Sequence, residues 1–194
     1  MANTSRINGF RPVMHLNGSP YNGQARKYFI ASGDGTAVYV GDVVKLAGGA
    51  DTDGTCATVI LCGPTDVPVG IVVAVERNAD NLGITGTYRV ASTNRYVWVA
   101  DSPDLVCEVE TSDGTIAATS VGSNASHATG TPSTTTATSG AYLDLDTDAD
   151  TSTLNFQILG LAARVDNEVG ASAKVLVRFN VHQYGSVGTT GMTV

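Results

Sequence analysis

Charge is scarce in this sequence. Asp, Glu, Lys and Arg make up 15% of its 194 residues, against about 25% in an ordinary soluble domain. A surface so poor in charge favours short loops or cover by a partner. Aromatic residues are also few, at 6% with a single Trp, so any core rests on Val, Leu, Ile and Ala. The cysteines are only Cys56, Cys62 and Cys107. Their odd number excludes a closed disulfide framework, and C-x5-C is not zinc spacing. They are expected as small core residues. No apolar run approaches the roughly 18 residues of a membrane span, so no membrane contact is expected. MANTSRING lacks the apolar stretch of a secretory leader, so synthesis and residence in a reducing cytoplasm are expected.

Chemical motifs are missing too. There is no G-x-S-x-G nucleophile elbow and no G-x4-G-K-[ST] phosphate loop. His15, His127 and His182 are too scattered to form a local metal motif. No cofactor is expected, nor is an enzyme. Net charge is −7 and the pI about 4.7, which argues against nucleic acid as partner. The imbalance is uneven. Arg6, Arg11, Arg26 and Lys27 precede the first carboxylate, Asp34, leaving −11 for the rest. A basic start on an acidic body points to contact with a neighbouring molecule.

What is present reads as strand nearly throughout. AVYVGDVVKLAG (37–48) holds two Val-rich pieces around a Gly41-Asp42 turn. TCATVILCG (55–63) reads as a strand buried on both faces, and PVGIVVAVER (68–77) and GTYRVAS (86–92) follow. NFQILGLAARV and ASAKVLVRFNVHQYG close the series. Short strands at regular spacing predict an all-β fold, a jelly-roll or barrel-like β-sandwich. Residues 1–27, rich in Gly and Pro, are expected as an extended N-terminal arm, with 28–194 a single β domain. Half of residues 111–140 are Ser or Thr, which predicts a long exposed loop inserted in that domain, or a stretch of weak strand with a flexible tip.

RYVWVADSPDLVCEVE (95–110) gathers carboxylates, a thiol and the one Trp. Strand geometry disperses them, because alternate side chains face opposite ways. Cys107 then sides with Leu105 and Val109, away from Glu108 and Glu110, and Asp101–Asp104 becomes a turn capped by Asp101. Trp98 is expected to face the core. LDLDTDAD (143–150) places Asp144, Asp146, Asp148 and Asp150 at every second position, a weak calcium candidate that fails the EF-hand pattern at Ala149 and Asn155. A solvated acidic loop or a patch for a basic partner also fits.

The segments GFRPVMHLNGSPYNGQARKYFI, VYVGDVVKLAG, VPVGIVVAVER, YVWVADSPDLVCEVE and VLVRFNVHQYG together resemble small structural proteins of tailed bacteriophages. Those proteins are encoded near the major capsid protein and are taken to be capsid decoration, or cement, proteins. The resemblance spans most of the chain outside 111–153 and carries no catalytic residues. It implies a β-barrel or jelly-roll body on the outer capsid surface of the virion. There it would bind the major capsid protein, as a homo-oligomer (dimer or trimer), and tie neighbouring capsomers together. Arg6, Phe10, Arg11, Tyr21, Arg26 and Tyr28, with Phe29 beside them, are the expected partner anchors, since aromatic and Arg side chains dominate interfaces, though Tyr28 and Phe29 fit equally well as the start of the first core strand. Two other readings compete. One is a carbohydrate- or receptor-binding β module on a virion or cell surface, using Tyr96 and Trp98. The other is a glycosidase working through Glu108 and Glu110.

Overall fold

A computed structural model describes residues 3–185. Among them the chain forms eleven strands and two single turns of 3-10 helix. The strands are β1 (Arg11–His15), β2 (Arg26–Ile30), β3 (Val43–Ala50), β4 (Ala57–Leu61), β5 (Gly70–Val75) and β6 (Arg95–Ala100). They continue as β7 (Leu105–Ser112), β8 (Asn124–Ala128), β9 (Tyr142–Ala149), β10 (Phe156–Leu161) and β11 (Lys174–Phe179). The fold is all-β and barrel-like, as the periodicity predicts.

Two closed sheets share the strands. The first barrel runs β2-β4-β3-β5-β6 and closes through β2 on β6. The second sheet runs β1-β7-β11-β10-β8-β9 and closes through β7 on β9, leaving β1 outside the ring. Closure removes free edges that would otherwise pair with other chains. The turn 101–104 therefore joins two barrels rather than two paired strands.

The first barrel is filled by alternating residues such as Tyr28, Ile30, Val97 and Val99, all fully buried. The second packs Phe156, Ile158, Val177 and Phe179. That second core continues into Val43, Cys62, Ile71 and Ala100 of the first barrel, so apolar contact joins the two. All three cysteines are buried, and burial pushes the Cys62 thiol up to about 12, which keeps it unreactive.

Several sequence expectations change. The N-terminal segment is not a free arm, because β1 pairs antiparallel with β7 and Phe10 is 1% exposed. Phe10 stacks on Phe156 at 4.6 Å between centroids, and its N–H donates to Gly41 O on the first barrel. Phe10 and Tyr28 are thus core side chains and not surface anchors. β4 is half-buried rather than buried on both faces. GTYRVAS forms no strand. Its Arg89 is fully buried and donates to Thr93 O, Ala31 O and Asp34 O, and also to Thr36 O. One guanidinium thus satisfies the carbonyls of the 31–37 turn, since only Arg offers five donors in a fixed fork.

The Ser/Thr-rich stretch takes its strand alternative rather than that of an exposed loop. It contains β8, where Asn124, Ser126 and His127 are buried. Each finds a partner: Asn124 Nδ2 donates to Thr151 O at 3.1 Å, Ser126 Oγ donates to Pro64 O, and His127 contacts Cys62 O at 3.0 Å and Asn155 Oδ1 at 3.2 Å. Polar side chains enter a core when each finds a hydrogen bond, and here the partners come partly from the first barrel.

Candidate binding cleft

The expected sites divide once their positions are known. Glu108 and Glu110 are both buried. Glu108 pairs with Arg164, and Glu110 with Lys174 at 2.7 Å. Glu110 also accepts from Ser5 Oγ at 2.6 Å and Arg6 N at 2.7 Å. Both carboxylates are committed to holding the chain together, and each faces a cation rather than an open cleft. Arg6 and Arg11 are exposed, but neither lines the cleft described below.

The four aspartates do not converge. Opposite β8 the register jumps, with Asn124 facing Ala149 and Ser126 facing Asp144. The intervening bulge breaks the alternation that would align them. Asp144 Oδ1 accepts the Asp146 N–H, while Asp148 accepts from Ser123 Oγ. Among the described residues no group of three or more His, Cys, Asp or Glu is arranged to hold a metal ion.

Tyr21 and Arg26, by contrast, come together with residues the sequence did not single out as a site. The chain from His15 to Tyr21 folds back as a hairpin. Gly18 N donates to His15 O, His15 N to Ser19 O, and Tyr21 N to Val13 O. Asn17 Oδ1 fixes the turn by accepting from Ser19 N and Ser19 Oγ. The Asn17-Gly18 pair was the available signal, since Asn-Gly favours tight hairpin turns. The hairpin sets Tyr21 against the first barrel, and two adjoining clefts open there, both lined by Tyr21 and Ala25.

One cleft, about 590 Å³, is apolar, walled by Tyr21, Val73, Ala74 and Trp98. Trp98 is half-buried, contrary to the expectation that it faces the core. β6 alternates with Val97 and Val99 inward, which turns Tyr96 and Trp98 outward. Val73 is the extra residue of a bulge between Val72 and Ala74, opposite Val99 and Trp98, so the strand bends where the cleft lies. The second cleft, about 280 Å³, is more polar, with His15, Gln24, Arg26, Asp101 and Ser102 in its wall.

Asp101 organises the polar cleft. Its Oδ2 accepts from Tyr28 OH at 2.7 Å and lies 3.3 Å from Arg26 Nε. It is held from behind by a core tyrosine rather than capping its own turn. The Tyr28 oxygen also lies 3.2 Å from Tyr184 OH, which donates to it because the single Tyr28 proton goes to Asp101. Burial, then the bonds to Tyr184 and Asp101, push the Tyr28 phenol well above its ordinary value, so it stays a donor. The Asp101 charge raises the Arg26 guanidinium further, and Arg26 lies over the Tyr184 ring at 5.7 Å. The result is a paired, charge-balanced acceptor and donor beside an apolar wall.

Comparisons with protein-family models, with curated proteins and with solved structures found no match to this chain.

Proposed function

We propose that this chain is a virion structural protein that binds the outside of a phage capsid, as a homo-oligomer, and stabilises contacts between major capsid protein subunits. The observation that carries this reading is the pair of apolar loop tips, one on each barrel. Leu82 is 83% and Ile84 45% exposed in the loop after β5. Val165 is 99% and Val169 53% exposed in the loop between β10 and β11. Bare aliphatic side chains at loop tips favour burial against a partner, and two tips on two joined barrels let one molecule engage two neighbouring subunits. Weak contacts of this kind become strong when repeated on a lattice, where local concentration is high. The charge-poor composition and the resemblance of the strand-and-turn segments to cement proteins point the same way. The exposed Arg6 and Arg11 of the N-terminal segment offer further polar contacts.

The test is co-sedimentation of the purified protein with expanded phage heads that lack it. Saturable binding at a fixed ratio to the major capsid protein is expected. Leu82→Asp and Val165→Asp should each weaken it at least tenfold while circular dichroism stays unchanged. Truncation to residue 28 is a poor test, because it removes Phe10 from the core. A folded protein that does not sediment with heads overturns the reading.

A further inference from the structure

The geometry points to a binding site for a neutral saccharide in the paired clefts, with one sugar ring packed on Trp98 and a second held by Arg26 and Asp101. This goes beyond capsid binding and does not rest on it.

Three observations carry the assignment. First, the apolar cleft is open and lined by two large aromatic side chains, Tyr21 and Trp98. Trp98 stands outward on β6 beside Ala74, and Tyr21 forms the opposite wall. An aromatic ring next to a small residue leaves room for a flat ligand, and the C–H face of a pyranose is such a ligand. Second, the polar cleft begins where the apolar one ends, across Tyr21 and Ala25. A few convergent polar groups beside an apolar wall, in clefts of this size, is the usual make-up of a small-ligand site.

Third, the polar groups are set in advance. Tyr28 OH and Arg26 Nε both engage Asp101 Oδ2, leaving Oδ1 to accept from a ligand hydroxyl. Arg26 spends Nε on Asp101 and rests on Tyr184, which leaves its terminal N–H groups to donate. A carboxylate accepting and a guanidinium donating, side by side, match two adjacent hydroxyls of a sugar. Their charges cancel, so the pair offers little net field to an anion or a cation. That selects a neutral polyol over an acidic or amino sugar. Fixing both groups before binding lowers the ordering cost that otherwise weakens a polar site.

The molecule supplies its own probe, since Trp98 is the single tryptophan. The full chain is titrated with a panel of neutral hexose oligosaccharides, with uronic-acid oligosaccharides in parallel, while tryptophan emission is followed. A saturable blue shift with at least one neutral oligosaccharide is expected, as the ring is covered. Asp101→Asn and Arg26→Gln should each weaken that binding at least tenfold by calorimetry. Arg26 is exposed, so its variant folds even if Asp101→Asn loosens Tyr28. Emission unmoved by every neutral sugar, while acrylamide quenches Trp98 freely, overturns the assignment. A response confined to the acidic panel overturns it too. Capsid co-sedimentation is read separately, so failure of either idea is distinguishable from failure of the other.

Discussion

The Lys174 ammonium lies 2.7 Å from the Glu110 carboxylate and donates as well to Arg6 O at 2.7 Å. This pair fastens the start of the chain to the second barrel. Asn3 adds bonds to Glu168 O at 2.8 Å and Ala171 O at 2.9 Å. The first residues are thus held by hydrogen bonds to buried charge, with little apolar contact, since residues 4–7 stay exposed.

Glu110→Gln takes the carboxylate from a Lys174 ammonium that is only part-buried and removes an acceptor of Ser5 and Arg6 N. A loss of about 1–3 kcal/mol is expected. The midpoint of urea unfolding should fall accordingly. Lys174→Met added to Glu110→Gln should recover more than half of the loss, and proteolysis near residues 3–7 should accelerate in the single variant.

Phe10→Ala empties a site between Phe156 and the turn at Gly41. A loss of about 3–5 kcal/mol is expected for a buried Phe. Arg11→Ala, at the next position but exposed, should change stability by less than about 0.5 kcal/mol. Denaturation midpoints of the two variants, compared at equal slope, make the check.

Gly9 takes φ +75°, and a Cβ there would sit 2.7 Å from Gly41 O and 2.7 Å from Ser139 Cβ. Gly9→Ala therefore meets both strain and a backbone clash, and should lose well over 2 kcal/mol. Gly18 has φ +84° with open space around it, so Gly18→Ala should show the left-handed penalty alone, about 1–2 kcal/mol. Thermal melts of the two alanine variants separate clash from conformation.

Asp42 is 5% exposed, accepts from the Tyr39 N–H at 2.7 Å, and is pushed by burial up to about 6. Its carboxyl is thus easier to protonate in the folded chain than in the unfolded one. The fold binds the extra proton between pH of about 4 and 6, so its stability falls as pH rises through that window. Above it, ionised Asp42 costs about 3 kcal/mol, from two pKa units at about 1.4 kcal/mol each. His127 and His182, both lowered by burial, act with the opposite sign, and their contribution is lost as pH drops through about 6.5. The difference between wild type and Asp42→Asn isolates the carboxylate. The variant should be more stable at pH 7 and show no extra stability at pH 4.

Strand class was legible because period-2 alternation is local. That Tyr96 and Trp98 share one face of β6 and Val97 and Val99 the other follows from one strand read alone. Which face turns inward does not, since Trp98 was expected in the core and Val97 and Val99 fill it. The turn at Gly41-Asp42 and the break at 101–104 were legible for the same reason, since Gly, Asp and Pro bend the backbone by their own geometry. GTYRVAS misled because its alternation is real but its Arg89 is claimed by carbonyls of a turn more than fifty residues earlier. The Ser/Thr stretch stayed open between loop and weak strand because polarity alone says nothing of whether a distant Pro64 O or Cys62 O waits to pair with it. In the cleft, Tyr21 and Arg26 were marked by residue type, while Asp101, taken as a turn cap, was not.

Residue types and local patterning were enough to specify an all-β protein with a charge-poor surface, buried free cysteines and a basic beginning on an acidic body. Those properties come from composition and from contacts along the chain. Only the tertiary structure decided that the strands close into two barrels, that β1 returns to β7, and that Phe10 and Tyr28 lie inside. It alone brought Tyr21, Arg26, Trp98 and Asp101 around one pair of clefts. Strand partners are chosen by apolar burial and register between segments far apart in sequence, and that choice is not written in the alternation of any one of them.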